Sequence, residues 1–331
     1  MSRIPKSIAT CACLISTLVL PLLAACTGQQ VAAQQQGTAQ QRALKGTITV
    51  SGAFALYPMM VQWADEFSKL NPDVNFDISA GGAGKGMADA LARAADLGMV
   101  SREVTPDEVA KGAWWIAVAK DAVFPVVNGN NPVLSDLMAR GLTRNQLTDI
   151  FIGEKIKTWG ELVGRPEVAE PIDVYTRSDS AGAAEAWAKF LGNKTQEDLK
   201  GIGVQADPGL LDAVIKDKNG IGYNNLAYAY DAASDKPVAG AVVVPVDANA
   251  DGTAGDDEIL ETKREAVEAV ASGRYPAPPA RALNVVTKDR PSPLVAAFLK
   301  WVLTDGQKFV NEGGYVQLTS GQLQAGLQKL Q

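Results

Sequence analysis

The sequence has no histidine, and its three cysteines, Cys11, Cys13 and Cys26, all stand at the N-terminus. Without histidine there is no Ser-His-Asp or Cys-His nucleophile system, no imidazole acid–base chemistry and no common zinc site. Beyond Cys26 the chain has no thiol for a disulfide or a thiolate metal site. Positive charge is also short. Lysine and arginine number 31 against 37 aspartates and glutamates, a net charge of -6, which argues against a nucleic-acid partner. After the N-terminus no apolar run of about 18 residues recurs, so no second membrane-spanning helix is expected. What remains, in 331 residues with 47% apolar and 21% charged side chains, is material for one large α/β unit or two ordinary domains.

Residues 1–26 read as an export signal. Arg3 and Lys6 form a short positive region, an apolar stretch follows from Ile8 to Leu23, and Leu23-Ala24-Ala25-Cys26 closes it. The ending resembles the lipobox of bacterial lipoproteins. That resemblance implies cleavage before Cys26 and lipidation of its thiol, hence a lipid anchor on a bacterial membrane, in the periplasm or at the cell surface. Residues 27–45 are rich in Gln, Ala and Gly, with no sustained apolar period, and read as a flexible tether.

From Gly46 the pattern alternates strand and helix. Thr47–Val50 is a β-branched run. Met60, Trp63, Phe67 and Leu70 then fall at helical spacing over Tyr57–Leu70, and Asn71-Pro72 ends the helix. Strands are expected over Val74–Ile78, Leu97–Val100, Ala122–Val127, Ile172–Thr176, Ala241–Val246 and Leu283–Thr287. Helices are expected over Lys85–Ala94, Leu142–Ile150, Trp159–Val163, Ala184–Leu191, Asp257–Ser272 and Leu294–Val302, with Asp179 or Ser180 capping the fourth of these. Such alternation implies a parallel or mixed sheet with helices packed on it. Trp114-Trp115, ahead of a strand, reads as a packing anchor.

Three strand-to-helix turns, 51–56, 80–85 and 177–183, share one design. Each is built of small residues, so backbone N–H groups at a helix start lie open to an anion. Arg177 at the third turn, and Arg102 after the Leu97–Val100 strand, offer a guanidinium fork suited to oxyanions; half of a structural ion pair is the competing reading of each. A fourth pattern lies at 247–258, Asp-Ala-Asn-Ala-Asp-Gly-Thr-Ala-Gly-Asp-Asp-Glu. It satisfies the calcium-loop spacing, with Asp247, Asn249, Asp251, the Thr253 carbonyl and Glu258 as oxygen ligands of a structural Ca2+. An acidic surface turn is the other reading of those residues.

Several stretches resemble the phosphate-binding solute receptors of bacterial ABC importers. They are Ser51-Gly52-Ala53-Phe54-Ala55-Leu56-Tyr57-Pro58, Ala95–Arg102, Ile150–Trp159, Gly220-Ile221-Gly222-Tyr223 and Gly314-Tyr315-Val316. The resemblance implies a two-lobe type II periplasmic binding-protein fold, α/β with mixed sheets flanked by helices and two crossing strands as hinge. It puts lobe 1 at 46–123 plus 283–331 and lobe 2 at 124–282, with crossings near Phe124 and Asn284. It implies a monomeric, non-enzymatic receptor that closes on one oxyanion and hands it to a permease. The binding residues it implies are Ala53, Phe54, Ala55, Gly81, Gly82, Ser101, Arg102, Arg177, Ala181, Gly182 and Ala183.

The chain departs from that family where hydroxyls are usual. Alanines and Phe54 occupy the first turn, Gly81 and Gly82 the second, and Ala181-Gly182-Ala183 the third, while Ser101 stands near where a carboxylate is common. Each lost hydrogen bond to a charged ligand is worth about 1.5–3 kcal/mol. Weak phosphate binding, or weak discrimination against sulfate-like and carboxylate ligands, is therefore expected. The alternative role is a sensing or scaffolding lipoprotein with the same fold and a different anion.

Overall fold

The computed structural model describes residues 44–331. The export signal, Cys26 and all of the tether except Leu44 and Lys45 lie outside the described residues. Among the described residues no helix is long and apolar enough to cross a membrane.

Among the described residues twelve strands follow in chain order: β1 Gly46–Gly52, β2 Val74–Ala80, β3 Leu97–Val100, β4 Ala113–Asp121, β5 Val123–Asn128, β6 Leu142–Thr143, β7 Asp173–Arg177, β8 Ile202–Val204, β9 Gly220–Asn225, β10 Ala241–Val243, β11 Val246–Asp247 and β12 Arg281–Lys288. They form two five-stranded mixed sheets, in the orders β2-β1-β3-β12-β4 and β10-β5-β9-β7-β8, and a small β11-β6 pair. In the first sheet β1 runs parallel to β2 and β3, and β12 runs antiparallel to β3 and β4. In the second, β7 runs parallel to β8 and β9, and β5 runs antiparallel to β9 and β10. The fold is thus mixed α/β, two sheets flanked by helices.

Each sheet carries its own apolar core. On the first, the Tyr57–Leu70 helix buries Met59, Met60, Trp63, Ala64 and Phe67, while Leu70, the last residue of the expected stripe, is exposed. Trp63 is fully buried and its Nε1 donates to the Gly306 carbonyl at 2.9 Å, so the large ring is packed and its polar atom satisfied. Phe67 meets Phe298 edge-on at 5.2 Å. On the second sheet, the Gly182–Phe190 helix buries Trp187, which stacks on Tyr223 with centroids 5.6 Å apart.

The chain passes from the first sheet to the second between Asp121 and Val123, next to the expected Phe124. The return comes just before Arg281, a few residues ahead of the expected Asn284. Asn284 lies within β12, opposite Val100 and Ala117.

Several local expectations differ from the structure. Leu142-Thr143, expected to open a helix, pairs with β11 instead, and the helix begins at Arg144 behind a Thr143–Gln146 capping box. Trp114 and Trp115, expected ahead of a strand, lie within β4. The strand expected over Ala241–Val246 breaks into β10 and β11, because Pro245 has no N–H for a ladder. The helix expected from Asp257 begins at Lys263, where Thr262 and Glu265 form a capping box, while Glu258 is drawn into the preceding loop. The N-cap of the Gly182–Phe190 helix is Ala181, with no side-chain cap. Asp179 is unavailable for capping because Arg177 and the Ala206 N–H claim its oxygens.

Candidate anion-binding site

At the end of β1, Gly52 has φ 134°, and a Cβ there would lie 2.7 Å from the Gly86 Cα, so only glycine fits. The Gly52 carbonyl accepts the N–H groups of both Gly81 and Gly82, at 2.9 and 3.1 Å, which ties the second turn to the first. Gly82 has φ 91° and starts the Ala83–Leu91 helix. The third turn leaves β7 at Arg177 and enters its helix at Gly182.

These turns meet around one narrow cleft, closed so tightly that no water-sized space remains between them. Of the expected binding residues it is lined by Ala53, Phe54, Ala55, Gly82, Ser101, Arg177, Ala181, Gly182 and Ala183, and also by Ala83, Asp207 and Asn225. Gly81 does not line it. Arg102 does not either: its Nη1 and Nη2 donate to the Glu108 carboxylate at 3.0 and 2.7 Å, the structural ion pair that was the other reading of this residue.

The two sheets' turns touch directly around the cavity. The Gly84 N–H donates to the Ser180 carbonyl at 3.2 Å. A Cβ on Gly82 would lie 2.5 Å from that same oxygen, and one on Gly182 would lie 2.5 Å from the Ser101 carbonyl oxygen. The small residues of the turns thus let them close on each other.

Arg177 is the cation of the site. Its side chain is 2% exposed. Nε donates to Asp179 Oδ1 at 2.8 Å, Nη2 to Asp179 Oδ2 at 2.5 Å and Nη1 to Asp207 Oδ2 at 2.6 Å. The guanidinium lies 5.5 Å from the Phe54 ring centre, a cation–π contact from the facing turn. Burial works against the Arg177 charge, but Asp207 and Asp179 outweigh it and hold the guanidinium firmly protonated. Burial likewise opposes ionisation of Asp179, and Arg177 overcomes it, so that carboxyl lies below its ordinary value. For Asp207 burial wins, and its carboxyl is raised.

Behind the cavity a second arginine continues the network. Arg281 Nε donates to the Ser101 carbonyl at 2.9 Å, Nη2 donates to Asn225 Oδ1, and Asp121 Oδ2 lies 3.4 Å away. Asn225 Nδ2 in turn donates to Asp207 Oδ1. A buried polar chain thus runs from Asp179 through Arg177, Asp207, Asn225 and Arg281 to Asp121, beside the point where the chain passes between sheets. Burial pushes the Asp121 carboxyl up to about 6, against the pull of Arg281.

Sequence reasoning did not pick out Asp207, Asn225, Arg281 or Asp121 for the site. The one local signal is Asp207-Pro208, a helix start; the others reach the site through pairings remote in sequence.

At 247–258 the calcium-pattern oxygens serve the loop's own backbone. Asp247 accepts from the Asp251 and Gly252 N–H groups at 3.2 and 3.0 Å, and Glu258 accepts from Ala248 and Gly255. Among the described residues no three His, Cys, Asp or Glu side chains gather as an ion site.

A family model described as a PBP superfamily domain matches residues 35–306. The phosphate-binding protein PstS of Pseudomonas aeruginosa is 29% identical over 301 residues, covering 83% of this chain and 84% of the relative. The phosphate-binding protein PstS of Bacillus subtilis is 26% identical over 92% of this chain and 93% of its own. The phosphate-binding protein PstS 2 of Streptococcus pneumoniae is 35% identical, but over 119 residues, so the chain spans only 38% of that relative's length. Among solved structures, a phosphate ABC transporter substrate-binding protein with bound phosphate from Clostridium perfringens superposes with a TM-score of 0.68 at 24% identity, covering 83% of this chain and all of that one. An ABC-type phosphate transport receptor from Vibrio cholerae gives 0.58 at 20% identity, covering 82% and 100%. At such identities these superpositions speak to the fold.

Proposed function

The chain belongs to the PBP superfamily, and we propose on that premise that it is an extracytoplasmic solute receptor, not an enzyme, which captures phosphate or a related small oxyanion for an ABC importer. The observation that carries the reading is the convergence of three strand-to-helix turns and one buried arginine on a single cavity. The names of the relatives point to the same ligand and the same transporter partner.

Recognition would rest on backbone more than on side chains. The first N–H groups of the Gly182–Phe190 helix have no intrahelical acceptor, and the helix dipole favours negative charge beside them. Ser101 is the one hydroxyl residue among those lining the cavity. With so few hydroxyl donors, phosphate affinity is expected to be modest and sulfate or small carboxylates to compete. Closure of the turns on the ligand would exclude water and strengthen the remaining contacts.

The same reading includes a lipid anchor at Cys26, a tether up to residue 45 and a monomeric working form, in the periplasm or at the surface of a bacterial cell. Radiolabelled palmitate incorporation that is lost in Cys26→Ser tests the anchor; a wild-type protein without label would remove it. A structural Ca2+ at Asp247, Asn249, Asp251, Thr253 and Glu258 is a further proposal, supported by the complete loop spacing.

A second reading, a sensing or scaffolding lipoprotein with a different anionic ligand, draws on the alanine-lined turns. Titration with phosphate, sulfate and small carboxylates, alongside capture of the cognate permease, separates the two. Phosphate binding and permease capture support the receptor; another anion without a permease supports the second.

A further inference from the structure

Among the residues lining the cavity Arg177 is the only cation, and the protein already engages it from two sides. Asp179 stands two residues away and grips Nε and Nη2 from the same turn, while its Oδ1 also accepts the Ala206 N–H at 3.0 Å. Asp207 is different. It comes from the start of a separate helix, Asp207–Lys216, lines the cavity, and takes Nη1 with a side chain only 2% exposed. Asn225 donates to its other oxygen, which aims the carboxylate at the arginine. An acid suits a helix start, but that preference needs no contact with Arg177.

Resting on the oxyanion-receptor reading, we propose that Asp207 is a resident counter-anion. Its carboxylate occupies the face of Arg177 that a ligand oxygen would take, and so it sets the affinity and charge preference of the site. A bound oxyanion must displace this carboxylate from Nη1 or share the guanidinium with it. Either way a negative charge stays a few ångströms from the ligand in a buried setting, where charges interact strongly. The repulsion grows with ligand charge, so a dianion is penalised more than a monoanion. Asp207 thereby does part of the discriminating that side-chain hydroxyls cannot do here.

The experiment is a calorimetric titration of wild type and Asp207→Asn with inorganic phosphate, sulfate and formate, after refolding to strip carried ligand. Asparagine keeps the size and an acceptor for Asn225 but removes the charge. Affinity for phosphate and sulfate should tighten about tenfold or more, with a smaller gain for formate. In the Asp207→Asn, Arg177→Gln double variant the gain should vanish. Asp207→Ser is read in the same way should the asparagine variant fail to fold. If wild type binds phosphate and the variants bind equally or more weakly, the counter-anion role is overturned and the receptor reading survives. If the variants bind an oxyanion that wild type does not, the counter-anion role stands and the phosphate-receptor reading of wild type fails. If neither wild type nor the folded variants bind any oxyanion, both are overturned. Loss of folding in both single variants overturns the counter-anion role in favour of a structural one.

Discussion

Replacing Gly182 by alanine separates folding from closure. Gly182 is the first residue of its helix and has ordinary helical backbone, so alanine is welcome locally and removes up to about 1 kcal/mol of glycine's conformational cost. Across the cavity, however, the new Cβ would stand 2.5 Å from the Ser101 carbonyl oxygen and 2.6 Å from its carbon. Both atoms are backbone and cannot rotate away. The third turn must retreat from Ser101 by about 1 Å to reach ordinary contact. Forcing such a fit costs about 1–3 kcal/mol, and only in the closed arrangement. If the ligand binds that arrangement, its affinity should fall about 5- to 150-fold. The urea midpoint of the ligand-free protein should change little or rise. The assays are calorimetric titration with phosphate and small-angle scattering, which should show a larger radius for the variant with saturating ligand. Unchanged affinity together with an unchanged radius would refute closure of these turns on the ligand.

Three further outcomes follow from the same geometry. The Asp121 carboxyl is raised from its ordinary 3.8 to about 6 when folded, so it imposes no cost below about pH 4 and costs about 3 kcal/mol once the pH has risen past about 6; urea melts of Asp121→Asn should gain that much relative to wild type between pH 4 and pH 7, and parallel pH profiles would contradict it. Arg102→Ala should cost about 1–3 kcal/mol of stability through the lost Glu108 pair and leave oxyanion affinity within about twofold; a large affinity loss would return Arg102 to the site. Added calcium should raise the melting temperature and protect the chain from proteolysis near Asp251, and Glu258→Gln should abolish both effects; insensitivity of wild type would end the calcium proposal.

Where local pattern and final structure agree, the reason is local. The Tyr57–Leu70 helix carries its own apolar stripe, a Pro near its start and Asn71-Pro72 at its end, so its bounds are readable from the chain alone. Trp159–Val163 is equally self-contained, with Thr158 and Glu161 as a capping box. β12 is less so: its middle is a clear apolar run, but its start at Arg281 is fixed by pairing with Asp121 on β4. Arg177 announced itself beside a small-residue turn. Its partner Asp207, and Asn225 behind it, did not, because the approach of the Asp207–Lys216 helix and β9 to that turn is a tertiary event. Arg102 shows the converse. Its position after a strand suggested an anion ligand, while Glu108, six residues on, supplies a nearer partner. Turn chemistry was therefore legible, and the charge balance within the cavity was not.

The most direct test is calorimetry of the refolded, ligand-stripped protein with inorganic phosphate, beside Arg177→Gln whose folding is checked by circular dichroism. An oxyanion receptor built on these turns gives saturable one-site binding in wild type and none in the folded variant. Wild type that binds neither phosphate, sulfate nor a small carboxylate, or a folded Arg177→Gln that binds as tightly as wild type, would contradict it.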